Sequence, residues 1–560
     1  MHHAKRSTST DALAGLWRLV FAATLGVSSP AAPTATPSPA GAPIVRTDEG
    51  TIRGVDQHGV QAFLGIPYAK PPVGELRWRP PLPHANWTGT LQATVHGAAC
   101  PQLYGLGVFA GPPSFIEDCL FLNVVTPKAT SGGASAGLPV LFWIHGGGLF
   151  DGDSSDYDVT ALARQNVVVV TVNYRLGLLG FLAHPALDGA KAPFANYGYL
   201  DQQLALRWVQ RNIAAFGGDP TRVTIAGQSS GSASTIAHVV SPLAKGLFSR
   251  AIFQSGWSVH PSFDYTSLKD AEQQGVAFAK AAGCDKTGDD AAACLRALSV
   301  EQVLSLQGTA ATIGPYTNAG TGIVDGALVV EQPREAFASG RFNHVPIMNG
   351  LTRDENTFFL MVNEYYTGRS LTAGEHEQSV RQAYASPQYP SGTAEKVLAG
   401  YPLNKYRTVS EANSELTTDS ILCGAGPANK AFAAWVPLYA YVFNDRSAPS
   451  YFPSMSFRLG AYHTADILYV FPGYHGGNLG RPAKLTPEQQ QLSTEMIRYW
   501  ANFTRTGNPN GSGDTPWPQY TLLRPIYLSQ DIGGPATMSE QEYFSRHQCA
   551  LWETVTATSQ

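Results

Sequence analysis

Little in this chain points toward nucleic acid, metal or membrane. Charged residues make up only 14% of the 560, the formal net charge is -4, and no run of Lys or Arg stands out. That leaves no basic footprint for nucleic acid or an anionic membrane surface. No two histidines have His-x-x-x-His spacing and none of the six cysteines forms a C-x-x-C pair, so no zinc or dithiol redox site is expected, and no other metal or cofactor. Beyond residue 43 no stretch is long and apolar enough for a transmembrane helix, so no membrane anchor is expected. No internal repeat and no second linker interrupts residues 44–560.

What the chain does have is apolar mass: 44% hydrophobic and 11% aromatic residues, enough for a sizeable core. It also has a distinct leader. Lys5, Arg6 and Arg18 precede the short apolar run from Leu19 to Val27, and small residues and prolines follow from Ser28 to Pro43. Residues 1–43 therefore read as a secretory signal peptide and a Pro/Ala-rich linker, with one domain over 44–560. Six cysteines fit an exported protein, secreted or periplasmic.

Ile44 to Val60 alternates like a hairpin, and Phe63 to Ala69, punctuated by glycine and prolines, reads as loop with aromatic anchors. Strands are expected at 120–125, 139–144, 166–173, 251–255, 345–349 and 439–443. Several are almost continuously apolar, as strands are when both faces of a parallel sheet are covered by helices. Leu200 to Ala215 has helical periodicity. Strands alternating with helices predict an α/β fold with a large, mostly parallel central sheet and helices on both faces.

Val223, Thr224 and Ile225 suit one more buried strand, and Gly227-Gln228-Ser229-Ser230-Gly231 breaks it before small residues and a helix. A serine at such a strand–turn–helix junction sits on strained backbone with its hydroxyl turned outward. The pattern alone is weak: it recurs at Gly133-Ala134-Ser135-Ala136-Gly137, where no strand precedes it and no helix follows. Context selects Ser229. A serine hydroxyl needs a base to take its proton, normally a histidine held by a carboxylate. His145-Gly146-Gly147-Gly148 and Asp354-Glu355 follow two other strands, where α/β sheets place their ligands. Glycines after a strand can offer backbone N–H groups to an oxyanion. A phosphate loop would need Lys-Ser or Lys-Thr there, and Leu149-Phe150-Asp151 follows instead. With the chain order Ser, acid, His, the candidate bases are His376, His463, His475 and His547, and local features leave His463 and His475 as rivals.

From about residue 44 to 555 the chain resembles the type-B carboxylesterases, the α/β-hydrolase family of cholinesterases and bacterial para-nitrobenzyl esterases. The matching blocks are Phe63 to Ala69 with Pro71 to Gly74 and Leu76-Arg77-Trp78, Glu117-Asp118-Cys119-Leu120-Phe121-Leu122-Asn123, Asn173 to Gly177, Phe216 to Pro220, and Thr506 to Asn510 with Trp517-Pro518. The resemblance implies a serine carboxylesterase that cleaves small esters through an acyl-enzyme. Ser229 would be its nucleophile, Glu355 its acid and His463 its base. Gly147, Gly148 and Ser230 would supply the oxyanion N–H groups, and Ser255 would stand beside the triad. It also implies the pairs Cys100–Cys119, Cys284–Cys294 and Cys423–Cys549. The alternatives are a lipase acting on lipid esters and a non-catalytic adhesion or scaffold relative.

Two departures bear on substrate. The family usually carries Glu before the nucleophile, and here it is Gln228. Cholinesterases hold a quaternary ammonium against a Trp in the loop between the first two cysteines; here that loop has only Tyr104, Phe109 and Phe115 as aromatics. Both weaken attraction for a cation, so neutral esters of short to medium acyl length are expected.

Overall fold

The computed structural model describes residues 41–103, 111–128, 137–188, 195–308, 321–474, 476–477, 480 and 483–555. The leader expected at 1–43, the second serine motif around Ser135, Tyr104, Phe109 and His475 lie wholly or almost wholly outside the described residues. One compact unit spans Pro43 to Gln560.

An 11-stranded sheet forms its centre. In chain order its strands are β1 (Val55–Gln57), β2 (Val60–Pro67), β3 (Phe121–Pro127), β4 (Leu138–Ile144), β5 (Val168–Val172), β6 (Gly218–Gln228), β7 (Arg250–Gln254), β8 (Ile347–Thr352), β9 (Leu438–Phe443), β10 (Ile526–Gln530) and β11 (Ala536–Ser539). Across the sheet they run β11-β10-β9-β8-β7-β6-β4-β5-β3-β2-β1. From β10 to β5 every pairing is parallel, and antiparallel strands close both edges.

The apolar runs are explained by burial on two sides. In β4, Val140, Phe142 and Ile144 belong to one hydrophobic cluster, while Leu141 and Trp143 belong to another. Helices α1 (Tyr197–Asn212) and α2 (Ser230–Val240) cover the first face with Leu204, Trp208, Val209, Ile236 and Val239. The long helix α5 (Pro487–Thr506), opened by a Thr486/Gln489 capping box, covers the second with Leu492, Met496, Trp500 and Phe503. Between α2 and α5 in sequence lie α3 (Asn356–Thr367) and α4 (Val409–Leu422).

Three expectations need correction. Phe63 to Pro67 is not loop but the end of β2, with Phe63 and Ile66 fully buried. Gly65 disguises it: at φ +72° it forms an irregularity between Phe63 and Ile66, where a Cβ would lie 2.6 Å from the Val95 carbonyl oxygen. The segment 44–60 forms two hairpins: Ile44–Arg46 pairs with Thr51–Arg53 in a small separate sheet, and β1 pairs with β2. The helix expected over 200–215 starts earlier, at Tyr197, and its last turn tightens to a 3-10 helix over Ile213–Phe216.

The described cysteines form three bridges, Cys100–Cys119, Cys284–Cys294 and Cys423–Cys549, enclosing sequence separations of 19, 10 and 126. They suit an oxidising compartment. No helix among the described residues is long and apolar enough to cross a membrane.

Candidate active site

Strands β4, β6, β7 and β8 are parallel neighbours, so their carboxyl ends line one edge. The glycine loop, Ser229, Ser255 and Asp354-Glu355 follow those ends in turn. The loop carrying His463 joins them from the far side, through a parallel bridge between Tyr462 and Asp354.

Ser229 stands at φ 57° and ψ -127°, outside the regions that side chains favour, at the junction of β6 and α2. Its N–H donates to the Gln254 carbonyl (2.9 Å) and its carbonyl accepts from Ala233 (3.0 Å), which holds the turn from both sides. The two flanking glycines are required by packing. A Cβ on Gly227 would sit 2.4 Å from the Gly231 backbone, and one on Gly231 would sit 2.1 Å from the Ile144 carbonyl oxygen. Helix α2 therefore seats directly on the end of β4.

The glycine loop runs against this turn. A Cβ on Gly146 would lie 3.2 Å from that of Ser229. Gly147 and Gly148 adopt φ 105° and 63°, and no acceptor among the described residues takes either N–H. Ser230 opens α2, so its N–H has no intrahelical acceptor; its hydroxyl accepts from Leu149 N–H (3.0 Å) and ties the loop to the elbow. His145 props the loop from below. Its ring stacks on Tyr174 and its Nδ1 bonds the Gly146 carbonyl (2.8 Å), while burial holds its pKa down at about 4, a neutral support.

Glu355 and His463 are both buried, and His463 Nδ1 makes a short hydrogen bond to Glu355 Oε2. Glu355 Oε1 accepts from Thr352 N–H (2.7 Å), which fixes the carboxylate against the end of β8. His463 Nε2 is buried with no hydrogen-bond partner, and Phe358 and Phe359 flank the ring. The next layer joins the two loops. Arg446 forks onto Asp354 (3.0 and 2.9 Å), and Asp354 Oδ2 also accepts from Ala461 N–H (2.8 Å).

Ser255 lies at the end of β7 at φ 50°, with a buried hydroxyl that has no partner. Gln228 does more than preserve a shape. Its amide Nε2 donates to the His463 carbonyl at 2.7 Å, a bond that an ionised Glu could not make.

Sequence reasoning missed Asp466. It is fully buried, its Oδ2 accepts from Gln254 (3.0 Å) and its Oδ1 has no partner. Burial, with nearby Glu355 adding to it, pushes its pKa up to about 7. Asp153, just past the glycine loop, is buried and Asp156 is half-buried, and burial raises both carboxyls. No local pattern distinguishes these acids from solvated ones.

The carboxylesterase family model matches residues 41–552. The chain belongs to that family. The esterase is 36% identical over 501 residues to human cocaine esterase, covering 85% of this chain and 86% of that one. It is 35% identical over 566 residues to liver carboxylesterase 1 of Oryctolagus cuniculus, covering 94% and 96%. It is 33% identical over 555 residues to acetylcholinesterase of Bungarus fasciatus, covering 92% and 87%. It is a carboxylic ester hydrolase with the α/β-hydrolase fold of its family.

Proposed function

We propose that Ser229, His463 and Glu355 form the catalytic triad of this esterase. The observation that carries the reading is the buried Glu355–His463 bond at the same sheet edge as the strained Ser229 turn. Glu355 accepts a hydrogen bond from the Nδ1–H of His463 and so leaves Nε2 as the proton acceptor. Ser229 Oγ attacks the ester carbonyl and its proton passes to Nε2. The tetrahedral oxyanion is held by the N–H groups of Gly147, Gly148 and Ser230, each contributing about 3 kcal/mol if well aimed. His463 then returns the proton to the departing alcohol. Water, deprotonated by the same nitrogen, attacks the acyl-serine; the acyl–Oγ bond breaks, Nε2 passes the proton to Ser229 Oγ, and the acid leaves.

The preferred substrates are neutral esters of short to medium acyl length. Gln228 brings no charge next to the nucleophile, and Phe115, among the loop aromatics, is 45% exposed rather than lining a closed cation site. Burial also raises the Asp153 and Asp156 carboxyls, which weakens any attraction they offer a cation. The bridges and the leader at 1–43 support export, to the periplasm or outside the cell.

The test of the triad is Ser229→Ala. Turnover of p-nitrophenyl esters should fall about 10⁴-fold or more while Tm holds. Near-normal turnover by the purified variant sinks the mechanism.

A further inference from the structure

Behind the two loops that carry Glu355 and His463 lies a cavity of about 360 Å³. Five guanidinium groups line it, from Arg353, Arg407, Arg446, Arg458 and Arg546. Arg446 is held by Asp354, and Arg546 reaches Glu542 at 2.7 Å in an exposed pair. The side chains of Arg353, Arg407 and Arg458 have no hydrogen bond or ion pair among the described residues.

The carboxylates on the same walls are already engaged. Asp354 takes Arg446 and Ala461 N–H. Asp419 accepts from Tyr401 (2.8 Å) and bonds His547 Nδ1 (2.8 Å). Glu411 accepts from Arg407 N–H (3.1 Å) and Glu415 from the Tyr406 hydroxyl (3.2 Å). Burial and the neighbouring Asp419 push the Glu415 carboxyl up, with Arg446 opposing. The cavity therefore holds a surplus of donors. Each guanidinium presents five N–H groups in a plane that matches an oxyanion. Arg353 is half-buried, and burial first, then Arg446 and Arg546, disfavour its charge, while Asp354 and Asp531 partly offset them. An anion seated here would relieve that repulsion. The exposed Arg546–Glu542 pair is weak enough for Arg546 to turn inward.

We propose that this cavity binds a small polyanion through Arg353, Arg458 and Arg546, and that its occupancy braces the loops bearing Glu355 and His463. Arg353 directly precedes Asp354-Glu355, and Arg458 directly precedes the segment from Leu459 to His463. A bound anion would link these two stretches, as Arg446 and Asp354 already do one layer nearer the triad. The volume suits a phosphate or a compact polycarboxylate. The binding claim is independent of the roles proposed for Glu355 and His463; the kinetic consequence rests on them.

The test titrates the purified esterase with inorganic phosphate and, in a second arm, with citrate, by calorimetry at ionic strength fixed with chloride. At least one should bind saturably with a Kd of about 1 mM or tighter and raise Tm. Phosphate alone identifies a phosphoryl ligand, and citrate binding identifies a polycarboxylate. The kcat for a neutral p-nitrophenyl ester should rise about twofold at the same midpoint, with KM unchanged. Arg458→Gln with Arg546→Gln should weaken binding tenfold or more while basal kcat stays put; Ser229→Ala should bind like wild type. Absence of saturable binding in both arms overturns the site, as does equal binding by the double variant. Binding that leaves kcat unmoved overturns the bracing. Full activity in Ser229→Ala would instead overturn the proposed triad and leave the site standing.

Discussion

Among the described residues, two histidine–carboxylate pairs lie buried in this esterase, Glu355–His463 and Asp419–His547. Both use Nδ1, and both histidines are nearly inaccessible. Their surroundings differ. Around the first, the carboxylate's other oxygen takes a backbone N–H, and His463 Nε2 is left without a partner. Around the second, Asp419 Oδ2 takes the Tyr401 hydroxyl, which accepts in turn from Trp552 Nε1 at 2.8 Å. The Cys423–Cys549 bridge sits at the same seam. No strained serine stands by it among the described residues. The second pair therefore fastens His547 to α4, while the first is the one proposed to hold an imidazole for proton transfer. A histidine–carboxylate pair is not catalytic in itself; what sets the first apart is the strained serine turn and glycine loop at the same sheet edge.

The contrast can be broken most sharply at the histidines. His463→Gln should lower kcat by about 10⁴-fold or more with little change in Tm. His547→Gln should leave kcat within a few-fold but cost about 1–3 kcal/mol of stability, because buried Asp419 loses a partner. Urea unfolding beside p-nitrophenyl ester kinetics measures both. If His547→Gln is the inactive variant, the assignment is reversed.

The carboxylates come next. Glu355→Gln should lower kcat by about 10³–10⁴-fold, since an amide can favour the wrong imidazole tautomer. Asp419→Asn should alter only stability. Equal activity losses in the two would erase the distinction drawn here.

A smaller effect is expected at Gln228. Gln228→Glu removes the donor to the His463 carbonyl and adds a charge beside the imidazole. A kcat loss of about tenfold should follow, and the acid limb of kcat/KM should move to higher pH, because an anion favours imidazolium. The preference for acetylthiocholine over 3,3-dimethylbutyl thioacetate should rise at the same time. An unmoved limb would mean that residue 228 does not sense the imidazole.

The smallest effect separates Asp466 from the proposed triad. Its pKa in the fold is about 7, against 3.8 ordinarily, so the native state keeps a proton that the unfolded state sheds from about pH 4 upward. The stability this gives is complete below pH 3.8 and is lost as pH rises to about 7. Asp466→Asn keeps an acceptor for Gln254 and Tyr441 and abolishes the dependence. Its Tm relative to wild type should therefore be higher at pH 8 than at pH 5. The opposite trend would show Asp466 ionised in the fold.

The elbow was readable because its causes are local: a β-branched strand, two glycines and a helix lie within a few residues. The same holds for the strand end at Ile144, whereas the strand expected at 345–349 runs from Ile347 to Thr352. His463 was not readable that way. Local features left His475 as a rival, and only the family resemblance chose between them. The Gln228–His463 bond spans 235 residues and the Arg446–Asp354 fork 92, distances that no residue pattern reports. Asp466 resembles any acid in a loop until the core closes over it. Phe63 to Pro67 was misread because glycine and proline are the usual marks of a loop, and here they shape an irregular strand. Strands β10 and β11 went unremarked, being short and following a proline-rich stretch.

The central claim is that one serine is activated, and by one of the two pairs. Covalent labelling tests it most directly. The esterase is incubated with a fluorophosphonate, and intact mass and peptide mapping follow. The account predicts one label per chain, on Ser229, lost in His463→Gln and kept at the wild-type rate in His547→Gln. A label on another residue, or undiminished labelling of His463→Gln, would contradict it.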